Sequence, residues 1–300
     1  MRVRGARHRV GRKMNRETGT PFRQQQIVTA DGHAIVARIF EPPGAPSGAV
    51  LMAPAMGVSQ NYYAPLAAWL AGQGFITATF DYRGTGLSRR GGLRGFEASV
   101  VDWARLDCAA MVDLLAARAP RLYWLGHSLG GQILAFVPNQ ARVAKMITIA
   151  TGSGYWRENA EPLRRNVWWF WFVIVPLTLP LFGYFPGKPL RMVDDLPRGV
   201  MTQWRRWCLH PGYAVGAEGE AGRALYELVR LPIVSISFSD DEFMSARNVA
   251  SIHAAYANAP LKMKRIEPKD IGVERIGHFG FFRPAFESTL WKSYLLPELR

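Results

Sequence analysis

Five residues near the middle of the chain, Gly126-His127-Ser128-Leu129-Gly130, constrain its fold more than any other segment. They follow the apolar run Leu122-Tyr123-Trp124-Leu125 and precede a stretch of small residues that begins at Gly131. A serine on a tight strand-to-helix turn projects its hydroxyl above a parallel sheet, and glycines two residues to either side are needed because side chains there would collide. The segment therefore predicts a parallel sheet with a nucleophilic serine, Ser128, at the end of one strand.

Alternating apolar segments on both sides of this turn predict the rest of the sheet. Short runs typical of strands alternate with segments of helical spacing, which indicates a mostly parallel sheet flanked by helices. We predict strands at Gln26–Thr29, Ala34–Phe40, Val50–Pro54, Phe75–Phe80, Leu122–Leu125, Met146–Ala150, Ile233–Phe238 and Leu261–Ile266. We predict helices at Tyr62–Gln73, Phe96–Ala119 and Ala246–Ala257. The 300 residues can bury a core of this class without disulfides or metals.

The chain divides by composition into a tail, a core in two pieces and an insertion. Residues 1–23 carry eight basic side chains and one acidic one, which is half of the net charge of +14, and they lack hydrophobic periodicity. We predict a disordered basic tail there, α/β core segments at 24–151 and 232–300, and an aromatic-rich cap at 152–231. Binding of nucleic acid or acidic lipid by the tail is the alternative, and no nucleic-acid partner is expected.

The compartment is predicted from the cysteines and from the amino terminus. Cys108 and Cys208 lie in segments of helical character and cannot form the disulfide framework of a small secreted protein. No apolar stretch follows the basic start of the chain. We therefore predict a cytoplasmic protein.

A second motif, Asp81-Tyr82-Arg83-Gly84-Thr85-Gly86-Leu87-Ser88, follows the fourth predicted strand. With this motif and the serine turn, the chain from about residue 25 to its end resembles the α/β-hydrolases. It is similar to the monoacylglycerol-lipase-like and serine-aminopeptidase-like branch, and its segment 277–283 is similar to a group of bacterial predicted hydrolases. The resemblance implies the α/β-hydrolase fold with an inserted helical cap, and a structural role for the second motif.

A serine hydroxyl is a poor nucleophile at neutral pH, so it needs a histidine to take its proton and an acid to orient that histidine. In the fold that the chain resembles, the order is serine, acid, histidine. His210, His253 and His278 follow Ser128. His253 lies within a predicted helix, whereas His278 follows the last strand and a loop and is preceded by Gly277, as in the family pattern. We therefore predict His278 as the base.

The acid is less sharply defined, because Asp240 and Asp241 are adjacent just beyond the strand Ile233–Phe238. The family's common Gly-x-x-Asp loop, aligned with its glycine at Phe238, puts Asp241 in the catalytic place. We predict Asp241, with Asp240 as the alternative and Glu242 as a third choice.

Acyl transfer also needs two donors for the developing oxyanion, usually backbone N–H groups. One donor is expected from Leu129, next to the nucleophile. By resemblance, the other comes from the turn Pro54-Ala55-Met56-Gly57, where relatives have His-Gly-x-Gly, so Met56 takes that position. His127 is predicted to pack or hydrogen-bond beside the turn rather than to act in catalysis.

The chemistry that remains is hydrolysis or transfer of an acyl group. A serine at the turn argues against epoxide hydrolases and haloalkane dehalogenases, which need an aspartate there. The sequence shows neither a second cluster of residues at metal-ligand spacing nor a phosphate loop of the G-x-x-x-x-G-K type, so no cofactor or metal is expected.

The insertion is expected to determine specificity, because it holds six of the ten tryptophans and an uncharged stretch from Asn166 to Gly187. We predict a cap over an apolar pocket, with contact to a membrane surface as the alternative. Spanning is not expected, because Pro176 and Pro180 should interrupt a helix.

The sequence therefore predicts a serine hydrolase that cleaves a carboxylic ester with an apolar acyl or alcohol group through an acyl-Ser128 intermediate. Its expected partner is a small-molecule apolar ester or acyl substrate. An acyltransferase, an amidase or thioesterase with the same three residues, and a non-catalytic ligand-binding protein of this fold are the alternatives.

Overall fold

The structure of the chain is a computed structural model that describes residues 12–14 and 21–300. Its central sheet contains nine strands. These are β1 (Arg12–Met14), β2 (Pro21–Val28), β3 (Ala34–Phe40), β4 (Gly48–Ala53), β5 (Phe75–Asp81), β6 (Leu122–His127), β7 (Lys145–Ile149), β10 (Ile233–Phe238) and β11 (Leu261–Ile266); a separate pair consists of β8 (Tyr184–Phe185) and β9 (Leu196–Pro197). The sheet order is β1-β2-β3-β5-β4-β6-β7-β10-β11.

The six strands from β5 to β11 in this order are parallel, whereas β1, β2 and β3 join them through antiparallel pairs. The central strands are buried along their whole length, which is typical of a parallel sheet covered by helices on both faces. In β4, Ala49 and Leu51 join the core on one face, while Val50 and Met52 join the core on the other. The predicted mostly parallel α/β fold is confirmed.

Helices cover both faces of this sheet. On one face lies a helix over 100–116, whose middle part Trp103–Cys108 is π-helical, and Trp103 and Met111 are completely buried there. Ala64–Gly72 and the π-helical segment Glu287–Leu295 cover the other face. The remaining core helices are Leu129–Gln132, Ala246–Ala254 and Gly277–Gly280, and short 3-10 turns lie at Gln60–Tyr63, Gly86–Ser88, Leu134–Phe136, Gln140–Arg142, Trp156–Glu158, Pro268–Ile271, Pro284–Phe286 and Leu296–Glu298.

The start of the sheet differs from the prediction. Strand β2 begins at Pro21 rather than at Gln26, and residues 21–23 pair with β1. Parts of the predicted basic tail are therefore strand, because a partner strand satisfies backbone groups whatever the side chains are. The rest of that tail, residues 1–11 and 15–20, lies outside the described residues.

The residues between β7 and β10 form an additional layer of helices. Its first long element, the cap helix, runs over Leu163–Phe182 and has a π-helical middle at Phe170–Ile174. Its length and composition would allow it to cross a membrane, and it is the one such helix within the described part of the chain. The other helices of the layer are Arg198–Leu209, Tyr213–Ala217 and Gly219–Glu227.

The prediction that two prolines interrupt this segment is wrong. The cap helix continues through Pro176 and Pro180. Both prolines are exposed, so water can bond the carbonyls that their missing N–H groups leave unpaired.

Candidate active site

Ser128 occupies the sharp turn between β6 and the helix Leu129–Gln132. Its backbone has φ 49° and ψ −112°, a strained conformation for a residue with a side chain. The Ser128 N–H donates to the carbonyl of Ile149 on β7, and the Ser128 carbonyl accepts from the Gly131 N–H, both at 3.0 Å. The turn is thus held from both sides, as the serine motif predicts.

Close backbone approaches explain why the turn needs small residues. A Cβ atom added at Gly130 would lie 2.0 Å from the carbonyl oxygen of Ala53, at the end of the neighbouring strand β4. A Cβ atom added at Gly126 would lie 2.5 Å from the backbone of Gly131, and one at Gly131 would lie 2.2 Å from the Thr151 hydroxyl. Three glycines are therefore required here, of which Gly131 lies outside the five-residue motif.

His278 and Asp241 form a buried pair. The Nδ1 atom of His278 lies 2.9 Å from Oδ2 and 3.1 Å from Oδ1 of Asp241. Asp241 Oδ1 also accepts hydrogen bonds from the backbone N–H groups of Phe243 and Met244, each at 2.8 Å. These donors fix the carboxylate, and the carboxylate holds the imidazole with its Nε2 atom free to face a nucleophile.

The two neighbours of Asp241 bind the backbone of the histidine loop instead of the imidazole. Asp240 Oδ2 accepts from the N–H groups of Ile276 and Gly277, at 2.8 and 3.0 Å. Glu242 Oε2 accepts from the N–H of His278 at 3.0 Å. The structure thus brings Asp241 to the imidazole and gives its two alternatives a different position.

The other candidate histidines lie elsewhere. His253 is buried, with Nε2 2.8 Å from the Thr148 hydroxyl and Nδ1 2.7 Å from the carbonyl of Val249. His210 accepts a hydrogen bond from the N–H of Gly212 within the added helical layer. Neither lines the cavity that contains Ser128.

Met56 and Leu129, the expected oxyanion donors, lie together with Ser128 on the wall of a small cavity of about 70 Å³. Leu129 is the first residue of its helix, so its N–H has no acceptor within that helix. Met56 is the second residue of a turn that the Val58 N–H closes on the Ala55 carbonyl, with Gly57 at φ 66°. Neither N–H group therefore takes part in the regular hydrogen bonds of a helix or a sheet.

A chain of hydrogen bonds connects the Met56 turn to the backbone of His278. The Ala55 N–H donates to the Tyr63 hydroxyl at 2.9 Å, and that hydroxyl lies 2.9 Å from Nδ1 of His127. His127 Nε2 lies 3.1 Å from the His278 carbonyl. The hydroxyl must therefore donate to Nδ1, which leaves the Nε2–H to donate to His278. We name these contacts the Tyr63–His127 bridge.

Electrostatics agree with this assignment of protons. Complete burial, together with the nearby His278, lowers the pKa of His127 well below its ordinary value, so its imidazole is neutral. The sequence predicts a packing or hydrogen-bonding role for His127, and the structure places it in such contacts. Tyr63 was not identified from the sequence, because a tyrosine at a helix start carries no specific signal.

A cavity of about 530 Å³ extends from the site into the added helical layer. Ser128 and His278 lie on its wall together with Ala55 and Met56. Most of its other lining residues are apolar: Leu163, Val167, Trp169, Phe170, Trp171, Ile174, Met192, Val193, Trp204, Phe243, Met244 and Phe279. Such a chamber suits an apolar group attached to the atom that Ser128 would attack.

The second sequence motif builds a neighbouring turn. Asp81 accepts hydrogen bonds from Gln60 and from the Leu87 N–H, and a Cβ atom at Gly86 would lie 2.4 Å from its carboxyl group. Arg83 forms ion pairs with Asp31 at 2.6 Å and with Asp107 at 2.7 Å. These contacts give the motif the structural role that the resemblance implies. Within residues 21–300, no group of three His, Cys, Asp or Glu side chains could hold a metal ion.

Comparison with known proteins agrees with the fold. Residues 44–187 match the family model described as serine aminopeptidase, S33. No sequence among the curated proteins matches the chain. An esterase of Pyrococcus furiosus is 15% identical, with a TM-score of 0.58 over 97% of this chain and 94% of that one. A thermophilic esterase from Thermogutta terrifontis is 15% identical, with a TM-score of 0.56 over 92% of this chain and 98% of that one.

A hydrolase from Pseudomonas aeruginosa is 20% identical, with a TM-score of 0.53 over 90% of this chain and 97% of that one. At such identities, likeness shows a shared fold rather than a shared substrate. The sheet order, the serine turn and these structural similarities together show that the chain has the α/β-hydrolase fold, and its residues 44–187 are similar to the serine aminopeptidase family.

Proposed function

We propose that this α/β-hydrolase is a serine hydrolase that cleaves a carboxylic ester with an apolar acyl or alcohol group. One observation carries the proposal: Ser128 and His278 line the same large, mostly apolar cavity, and the Nδ1 atom of His278 lies 2.9 Å from Oδ2 of the buried Asp241. A nucleophile, a base oriented by an acid, and a pocket for an apolar group are the parts that such a reaction needs.

The reaction would proceed through an acyl-serine. His278 Nε2 takes the proton of the Ser128 hydroxyl while Oγ attacks the ester carbonyl carbon. The N–H groups of Met56 and Leu129 donate to the oxyanion of the tetrahedral intermediate. The C–O bond to the alcohol then breaks, and His278 returns the proton to the leaving oxygen.

Water completes the cycle by the same route. His278 removes a proton from a water molecule whose oxygen attacks the acyl carbon, a second tetrahedral intermediate forms, and the acid leaves as Ser128 recovers its proton. Asp241 keeps the imidazole in the tautomer with a proton on Nδ1 and stabilises it when it becomes charged. The Tyr63–His127 bridge connects the Met56 turn to the His278 backbone and would limit their movement relative to each other.

The apolar lining suits a substrate with an apolar group, and an ester is the first substrate class to test. An acyltransferase, amidase or thioesterase would use the same residues, and the choice depends on the acceptor and on the shape of the cavity. The buried free thiols of Cys108 and Cys208 support a reducing compartment such as the cytoplasm.

The decisive experiment combines a fluorophosphonate probe with p-nitrophenyl esters of increasing acyl length. We expect the wild-type protein to be labelled and to hydrolyse the esters, and the Ser128→Ala variant to do neither while keeping its melting temperature. Ser237→Ala, which alters a buried serine on β10, is the control and should be labelled normally. Absence of labelling in folded wild-type protein would favour the ligand-binding alternative, and hydrolysis by Ser128→Ala would exclude Ser128 as the nucleophile.

A further inference from the structure

The cap helix is attached to the rest of the protein along a single stripe. Val167, Trp171, Val175 and Leu179 are its buried residues, and they follow one another at intervals of four. Such spacing places them on one side of a helix. The opposite side of the cap helix carries residues that are much more exposed.

That opposite side is apolar. A residue two positions after a buried one is rotated by about 200° around the helix axis and so points away from the buried stripe. Trp169, Leu177 and Leu181 occupy such positions. They are 53%, 67% and 67% exposed, respectively. We define the outer helix face as these three residues, and the exposed Trp168 borders it with its ring stacked on that of Trp169 at 4.5 Å.

No charged residue lies between Asn166 and Gly187, so the outer helix face is uninterrupted by charge. A soluble protein rarely exposes a contiguous apolar surface of this kind without a partner. The face also lies at the mouth of the large cavity, because Trp169 and Met192 are exposed and line the cavity at the same time.

Basic side chains lie at both ends of this face. Arg164 and Arg165 lie at the start of the cap helix, where Glu161 pairs with both. Near the end of the cap helix, Arg94 donates to the Leu181 carbonyl. Helices that lie in the surface of an anionic bilayer typically have tryptophan and leucine on the apolar side and arginine at its border.

We propose that the outer helix face docks on the surface of a lipid bilayer that contains anionic lipids. The cap helix lies in the plane of the headgroups, its buried stripe stays on the protein, and the flanking arginines contact lipid phosphates. It does not span, because the buried stripe holds it to the domain and the chain returns through the β8–β9 pair. A second copy is a weaker occupant, since symmetric pairing would bring one arginine border against another.

The test measures insertion of tryptophan into vesicles rather than catalysis. Vesicles of brominated phosphatidylcholine, with or without phosphatidylglycerol, quench tryptophans that enter the acyl region. We expect quenching of the full-length wild-type protein by the anionic vesicles and less at high salt. The basic residues 1–23 contain no tryptophan, so their attraction to the vesicles produces no quenching.

The double variant Leu177→Glu/Leu181→Glu should lower the vesicle affinity measured by quenching by about tenfold or more, because it places two charges in the apolar face. Its matched control is Val28→Glu/Leu261→Glu, which adds the same charge at exposed apolar positions on β2 and β11 and should bind like the wild type. If the first variant fails to fold by circular dichroism, Leu177→Gln/Leu181→Gln takes its place.

Three results would overturn the proposal: no quenching of the wild type, equal quenching of the double variant, or a wild-type dimer that the double variant dissociates. The last result would assign the face to a second copy. The same measurement on Ser128→Ala protein should give wild-type binding, so docking and the proposed catalytic function can fail separately.

Discussion

The serine turn and the cap helix line the same cavity, yet they are packed very differently. At the turn, a single Cβ atom on Gly130 would lie 2.0 Å from a backbone oxygen that cannot move without shifting strand β4. On the outer side of the cap helix, Leu177 and Leu181 are 67% exposed and contact little of the protein. This contrast fits our proposal that catalysis takes place where backbones are closely packed and that selectivity depends on a region where side chains have room.

The largest expected effect comes from replacing one of two adjacent acids near the serine turn, with the other acid as its control. Asp241→Asn should lower kcat by about 10⁴-fold, because the amide would favour the wrong imidazole tautomer. Asp240→Asn should lower kcat far less, because the Asp240 carboxylate accepts hydrogen bonds from backbone N–H groups and does not contact the imidazole. Steady-state kinetics on one p-nitrophenyl ester measures both variants. Equal losses would remove the distinction between the two acids.

Glycine substitutions test the tolerance of the turn itself. Gly130→Ala should reduce kcat about 100- to 1,000-fold by displacing Ser128 and the Leu129 donor, and should lower the free energy of unfolding by about 1–3 kcal/mol. Gly91→Ala is the matched control, since nothing lies within 4 Å of its added Cβ atom. Kinetics and urea denaturation measure the two effects. Full activity of Gly130→Ala would mean that the turn is looser than its contacts indicate.

The cap helix should affect selectivity and not the rate of the chemical step. Ile174→Trp fills part of the cavity, so we expect kcat/KM for long acyl esters to fall about tenfold or more while the acetyl ester is unaffected. Leu177→Trp adds the same side chain to the outer side of the same helix and should change neither value. A uniform loss for all chain lengths in Ile174→Trp would indicate that the cap also positions the catalytic residues.

The last prediction concerns the Tyr63–His127 bridge, which connects the Met56 turn to the His278 backbone. Tyr63→Phe leaves a buried Ala55 N–H and His127 Nδ1 unpaired, which should lower the free energy of unfolding by about 1–3 kcal/mol and kcat by about tenfold with little change in KM. Tyr226→Phe, which removes a buried hydroxyl bonded to the Gln132 carbonyl, is the control and should leave kcat unaffected. An unchanged kcat in Tyr63→Phe would reduce the bridge to a packing role.

Sequence patterns predicted the parallel sheet and its turns well, because alternation and glycine spacing reflect short-range sterics. Ile233–Phe238 and Leu261–Ile266 have the predicted bounds. Strand β2 starts earlier than predicted, because its first residues Pro21-Phe22-Arg23 lack a strand pattern and are recruited by pairing with β1. The continuous cap helix was missed for the opposite reason, since Pro176 and Pro180 are local breakers that an exposed position tolerates.

The sequence by itself determined the mostly parallel fold and the place of Ser128, because both follow from local spacing that only one backbone geometry satisfies. It also supplied His278, Asp241, Met56 and Leu129 as candidates. Only the tertiary structure decided which carboxylate reaches the imidazole, since Asp240 and Asp241 differ in the direction of their side chains and not in their chemistry. It alone revealed the Tyr63–His127 bridge and the outer helix face, because long-range contacts and exposure depend on how distant segments pack.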